Sequence, residues 1–485
     1  MARFNTPTGT VTRTVNLAGG EAFVESPAVE FASILLTSMV SDQAYRPADA
    51  GLARVIELLD AVPPLFAAKA AVYARNEYGM RSISHVVAGE LALRVRGEQW
   101  TRPFFRSVVR RPDDITEIVS YVIARHGRRP LPNAMKDGLG QAFAKFDEYQ
   151  LAKYRSADKA LSLVDVVNLL HPKPVEQNAK ALKALVAGTL RSEYTWEAKL
   201  SEAGKASSEE AQAEAKAEAW GELVRSRQIG YFALLRNLRN IMQQAPDALP
   251  AALDMLVDEG LIRSSLVLPF RFTTAAAEIG TEIGARAILA ALSQAAEISL
   301  GNVPRFDGRT LIAVDASGSM TSTPVGRGKT MVADAAALFG AVLYKRNDAD
   351  LMLFASEAKI ANVSPDAGVL GLQQAIRQAM QGGGTNFRSI FQAASVAYDR
   401  VVILSDMQGW VGHDAPTDTF ESYVARVGKR PHVYSFDLAG MGTLQFPQQQ
   451  VYCLAGFSDR AFEVMQMLET DKGALIKRIE AVEFS

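Results

Sequence analysis

The sequence predicts two structural units in series: an all-α array of helix pairs over residues 1–300, then a doubly wound α/β unit with a mainly parallel sheet over residues 306–485. Three observations carry this. A chain of 485 residues is too long for one hydrophobic core. Before residue 300, apolar residues recur at three- and four-residue intervals, the helical period. After residue 305, short apolar runs alternate with helical stretches, which calls for a sheet covered on both faces.

In the first unit, helices are read at 50–60, 64–77, 84–96 and 114–126, with Pro63, Pro112 and Pro130 punctuating the gaps. Further helices follow at 131–146, 163–170, 177–190, 229–243 and 249–260. So many helices without a strand signal predict a HEAT-like solenoid rather than a single bundle, although no motif repeats at fixed period. Residues 197–219 are rich in Ala, Glu and Lys and poor in large apolar groups. They read as a solvated helix or mobile insertion.

In the second unit, strands are read at 310–314, 350–354, 400–405, 432–437 and 450–454, and helices at 328–345, 367–380, 388–397, 417–428 and 458–469. In such a sheet, ligands bind beyond the carboxyl ends of the strands. The string TLIAVDASGSM at 310–320 places Asp315, Ser317 and Ser319 there. Asp406 ends the strand RVVILSD, and Thr385 follows three glycines in QGGGTNF at 381–387, where the missing Cβ atoms allow close backbone approach. Asp315, Ser317, Ser319, Thr385 and Asp406 are hard oxygen donors from three loops. They suit Mg²⁺, with Mn²⁺ or Ca²⁺ as alternatives, and leave room for an outside group. Against this, Asp or Ser at a strand end often only caps a helix.

The DxSxS…T…D pattern resembles the metal-ion-dependent adhesion site of von Willebrand factor A domains, a likeness covering 306–485. The resemblance implies that the serines and threonine bind the cation while the aspartates act directly or through water. It also implies that a ligand supplies an acidic oxygen to the open position. GRGKT at 326–330 has the end of a phosphate-binding loop, but the required first glycine is replaced by Thr323. It reads as a basic loop opening a helix.

The whole chain has a formal net charge of −1, yet residues 75–183 hold 19 Lys and Arg against 12 Asp and Glu. Basic knots occur at Arg102, Arg106, Arg110 and Arg111, at Arg125, His126, Arg128 and Arg129, and at Lys153 and Arg155. Phe104, Phe105, Tyr149 and Tyr154 lie among them. Such a mixture can neutralise phosphates and stack on unpaired bases, or it can be no more than the solvated faces of helices.

ARNEYGMRSISHVVAGELAL at 74–93, KFDEYQLAKYR at 145–155, LLHPKP at 169–174 and YFALLRNLRNI at 231–241 resemble the TROVE module of Ro ribonucleoproteins. TROVE followed by a von Willebrand A domain is the Ro architecture, so the resemblance spans nearly the whole chain and has the compact form of a bacterial member. It implies a monomeric ring of HEAT-like repeats closed by the A domain. It further implies binding of small structured Y-like RNA outside the ring and of single-stranded 3′ ends of misfolded RNA in its hole. Association with an exoribonuclease such as polynucleotide phosphorylase, in RNA degradation and stress survival, is implied too. His171 and Lys173 match the family's RNA-contact motif, Lys153 matches a basic position ahead of it, and Arg155 matches more loosely. Arg128 and Arg129 are assigned to RNA from charge alone. Taken by itself, His171 reads as a histidine packed at a helix end before Pro172.

The expected role is therefore a non-enzymatic RNA-binding scaffold. The alternative is a metal-dependent protein-interaction module that grips acidic partners, with the ring as support. A metal-dependent nuclease has less in its favour, because His413 is the one histidine near the metal loops in sequence. The single cysteine, Cys453, fits a reducing compartment. Charged residues from Arg3 to Glu30 interrupt any signal-peptide core, and no run approaches a membrane span. A cytoplasmic protein without membrane contact is expected.

Overall fold

The computed structural model describes residues 12–15, 21–24, 27–37, 50–127, 130–155, 159–190, 200, 202–205, 208–279, 284–324, 331–364, 366–407, 416–438, 451–455, 461–470 and 473–485. Among the described residues the regular elements from Pro27 to Ser299 are all helical, and a six-stranded sheet with its helices follows from Thr310.

One part of the helical expectation needs correction. Two short strands, β1 (Thr12–Val15) and β2 (Glu21–Val24), pair antiparallel ahead of the first helix. Each has four residues, too few to show a clear alternation. The stretch 249–260 also divides. A helix ends at Leu256, and the Asp258 side chain caps a new one, Glu259–Ser265, by accepting from the Leu261 N–H at 3.0 Å. Within the Ala/Glu/Lys-rich stretch, Ser208 caps the helix Glu209–Arg225, whose last turns bury Trp220, Leu223 and Val224.

The sheet runs β5-β4-β3-β6-β7-β8, with β3 (Thr310–Asp315), β4 (Ala349–Phe354), β5 (Ala358–Ile360), β6 (Arg400–Ser405), β7 (His432–Asp437) and β8 (Val451–Ala455). All neighbours are parallel except the edge strand β5, which pairs antiparallel with β4. Strands β3 and β6 are buried at every position. Along β3 the period of two sorts the side chains. Ile312 and Val314 join a core with the helix Val332–Arg346, while Leu311 and Ala313 join one with Phe387, Ile390, Phe391 and Tyr423 on the opposite face. The chain leaves β3 toward β4 on one side and returns to β6 on the other. The crevice between the ends of β3 and β6 is thus the switch point where such sheets bind ligands.

The helical array meets the α/β unit at both of its ends. At the start, Phe484 packs on Trp100 and Phe104 with ring centroids 6.2 and 5.8 Å away, and the Ser485 N–H donates to Ser107 Oγ at 2.8 Å. At the finish, Phe270 stacks on Phe339 at 4.6 Å, and Arg346 Nε donates to the Val303 carbonyl at 2.8 Å. One continuous core accordingly runs from Phe31 through the first helices into the α/β unit, while Trp220 to Ala296 enclose a separate core. Helices from both the early and the late part of the array thus touch the second unit.

Candidate functional site

The proposed cation ligands gather at the β3–β6 switch point. Asp315 ends β3 and is fully buried, as are Asp406 and, nearly so, Ser317 and Thr385. Asp315 Oδ1 accepts the Ser317 N–H at 2.8 Å, and Ser317 Oγ lies 3.2 Å from Ser319 Oγ. Ser317 occupies the N-cap position of the short helix Gly318–Ser322, yet its side chain makes no capping bond. Its hydroxyl therefore does not serve the helix, which removes the capping explanation for this motif.

Two backbone bonds stitch the glycine loop to the first. Gly382 N–H donates to the Ala316 carbonyl at 3.0 Å, and Gly318 N–H donates to the Gly383 carbonyl at 3.1 Å. Gly382 and Gly383 have φ of 79° and 112°, a region that strains any side-chain-bearing residue. This turn delivers Thr385 to the same edge.

Sequence reasoning missed Ser405. Its hydroxyl donates to Asp315 Oδ2 at 2.6 Å and accepts the Met407 N–H at 2.9 Å. Met407 turns the chain at φ 59° just after Asp406. The signal was available: a polar residue closes the apolar run VVIL one position before the Asp406 carboxylate. Burial pushes the Asp315 carboxyl up to about 6 against the hydrogen bonds from Ser405 and Ser317, and the nearby Asp406 charge adds to the rise. Two carboxylates close together with water excluded, ringed by hydroxyls, are a donor set that fits a hard divalent cation. Among the described residues, no group of three or more His, Cys, Asp or Glu side chains gathers to hold a metal. GRGKT and His413 lie outside the described residues.

The basic half resolves into two classes. The side chains of Arg75, Arg81 and Arg111 converge on Asp113 and Asp114, while the Arg110 guanidinium donates to the Asn76 carbonyl instead. Arg75 Nη2 lies 2.8 Å from Asp114, Arg81 Nη2 lies 2.7 Å from Asp113 and Arg111 Nη2 lies 2.8 Å from Asp113. His85 Nε2 approaches Asp114 at 3.1 Å, and the backbone N–H groups of Arg110 and Arg111 donate to it at 2.9 and 3.0 Å. Burial opposes the charged form of Asp114, but His85, Arg75 and the Arg110 N–H hold its carboxyl well below the usual carboxylate range. Arg102 pairs with Asp137 at 2.9 Å, and Arg125 and His126 reach Glu90 at 3.7 and 3.2 Å. Arg75 and Arg81 are thus turned inward and Arg111 partly so, whereas Arg102 and Arg125 stay about half exposed in their pairs. Phe104 and Phe105 are core residues, so the idea that they stack on bases is corrected.

The second class is exposed. Lys153 ends the short helix Glu148–Lys153, and Arg155 follows it, donating to the Leu190 carbonyl at 3.0 Å. The Arg155 carbonyl accepts the Leu163 N–H at 3.0 Å, which places this pair at the start of the helix Leu163–Leu170. His171 caps the far end of that helix in the left-handed conformation (φ 49°) and is exposed, as is Lys173. His171 is not packed away against the helix end. Eight residues, a rise of about 12 Å, separate the two groups. Arg128 and Arg129 lie outside the described residues.

The model of the TROVE domain matches residues 29–215, and that of the Ro60 vWA domain matches residues 309–468. The chain belongs to the Ro family. The RNA-binding protein RO60 of Deinococcus radiodurans is 30% identical over 197 residues, covering 38% of this chain and 36% of that protein. Telomerase protein component 1 of Rattus norvegicus is 30% identical over 127 residues, 25% of this chain but 5% of that protein. The chain therefore aligns with little more than a third, or less, of these relatives. The crystal structure of the Deinococcus radiodurans RO (RSR) protein superposes with a TM-score of 0.65 at 19% identity, over 94% of this chain and 99% of that one. That likeness supports the shared Ro fold of helical array and α/β unit.

Proposed function

We propose that this Ro protein is an RNA-binding scaffold. It holds a small structured, Y-like RNA on the outer surface of the helical array, presents single-stranded ends of misfolded RNA, and supports their decay together with an exoribonuclease. One observation carries the reading. While the arginines around Asp113 and Asp114 are bound inward, Lys153, Arg155, His171 and Lys173 remain exposed along one helix length. Three cations and a histidine spaced over about 12 Å suit successive phosphates of a backbone better than one small ligand. The named RNA-binding relative supports the choice of nucleic acid.

Affinity from such contacts comes largely from displaced counterions. Phosphate contacts by the three cations predict a loss of about fortyfold in affinity for a stem-loop RNA between roughly 50 and 200 mM salt. Binding that stays flat over that range sinks the proposal.

For the α/β unit, Asp315, Ser317, Ser319, Thr385 and Asp406 would hold a divalent cation, Mg²⁺ first, with Ser405 orienting Asp315. The cation would supply a Lewis-acidic position for a carboxylate of a partner protein. This gives the second reading, a metal-dependent docking module, and the observation favouring it is the pairing of two buried carboxylates with hydroxyls at the switch point. The reading assigns no bond-breaking step to either site.

A further inference from the structure

We infer that Tyr149 is a stacking platform for one unpaired base of the bound RNA, with Lys153 beside it neutralising the adjoining phosphate. This rests on the RNA-binding reading above and deepens it: the preferred ligand is a stem carrying a bulged or looped nucleotide, not a uniform duplex.

Tyr149 is 44% exposed, whereas the phenylalanines of the same basic region are fully buried. It sits one turn before Lys153, and the Lys153 ammonium lies 5.7 Å from the Tyr149 ring centroid and 5.9 Å from that of Tyr154. Tyr154 in turn carries the Arg111 guanidinium 4.9 Å from its own centroid. Cations and rings thus follow one another as Arg111, Tyr154, Lys153, Tyr149, and the series ends on the exposed ring. Arg111 is fixed by its pair with Asp113, so the inner end of the series is anchored.

The helix that presents Tyr149 is itself pinned. Asp147 Oδ1 accepts the Gln150 N–H at 2.8 Å, Gln150 Oε1 accepts the Asp147 N–H at 3.2 Å, and Leu151 and Ala152 are buried beneath. A tyrosine on a fixed backbone loses little freedom when a base lands on it. The ring offers a face to any base, and the ammonium beside it favours the phosphate that must accompany that base. A continuous duplex hides its base faces in the stack and cannot use the platform, whereas an unstacked nucleotide can.

The test uses the full chain and two stem-loop RNAs of the same length, one fully paired and one with a single bulged 2-aminopurine. The wild type should bind the bulged RNA more tightly and quench its fluorescence. Tyr149→Ala should lose the quenching and about tenfold in affinity for the bulged RNA, within the range expected for one base–aromatic stack, and leave the paired RNA unchanged. Tyr149→Phe, which keeps the ring, should behave as the wild type. Equal loss on both RNAs, or no change on the bulged one, overturns the platform while leaving RNA binding intact. If the wild type binds neither RNA, the RNA-binding reading fails first.

Discussion

The Ser405 hydroxyl donates to Asp315 Oδ2 at 2.6 Å across 90 residues of sequence, joining the ends of β3 and β6 at the proposed cation site. Removing the hydroxyl leaves one buried carboxylate oxygen without that donor and frees the side chain to turn. Ser405→Ala is expected to weaken Mg²⁺ binding about tenfold, as loss of an orienting partner commonly does. Calorimetric titration of Mg²⁺ into wild type and variant reads this directly, and equal affinities would remove Ser405 from the site.

Asp315→Ala separates the two roles of the molecule. The proposed ligand set loses a carboxylate of the α/β unit, whereas Lys153 and His171 belong to the helical array, so cation binding should vanish while stem-loop RNA affinity stays at the wild-type level. Loss of a co-purifying protein partner in the same variant would support docking through the α/β unit. A parallel loss of RNA affinity would instead tie the cation to the RNA surface.

Asp114 ties three helices together through Arg75, Arg81 and His85. Taking away its charge strands buried Arg75, and Asp114→Ala should cost about 3 kcal/mol of stability, the usual penalty for breaking a buried pair from one side. The pH sign follows from the depressed carboxyl. Its stabilisation is fully present above the unfolded value near about 4 and is lost as pH falls below it. Urea midpoints of the wild type should decline on acidification in that range, and the variant should show a shallower decline. Parallel curves for the two proteins would contradict this account.

These residues show what could be read from the chain. The meeting of DASGS, GGGT and SD was legible because a parallel sheet sends its loops to one edge. Ser405 was not picked out because its role depends on which strand neighbours β3, a fact fixed by pairing across the fold. ARNEYGMRSISH was informative for the family, yet its Arg75, Arg81 and His85 serve Asp114, which arrives from a helix some thirty residues on. Charge counts see the arginines and not their partners. The hairpin of β1 and β2 escaped because four residues per strand carry almost no periodic signal.

The contact of Phe484 with the array can also be weighed. Its ring is half-buried between Trp100 and Phe104, and truncation at such a site removes about 1–2 kcal/mol of apolar burial. Phe484→Ala should lower the thermal midpoint modestly and increase proteolysis near the seam. An unchanged midpoint would mean that Phe270 and its neighbours hold the second unit alone.

The RNA surface itself is tested by Lys153→Ala combined with His171→Ser. Both side chains are exposed, the Lys153 ammonium lies against the Tyr149 and Tyr154 rings, and His171 closes its helix by a backbone bond from its own N–H to the Val167 carbonyl. The double variant should therefore keep the wild-type unfolding midpoint. Each lost phosphate contact removes close to one unit from the slope of log affinity against log salt, so the slope should become shallower by about one to two. Affinity at low salt should fall about tenfold or more, since the counterion term is largest there. A gel-shift midpoint and salt slope indistinguishable from the wild type would show that the exposed row is only a solvated face, and that RNA, if bound, is held elsewhere on the array.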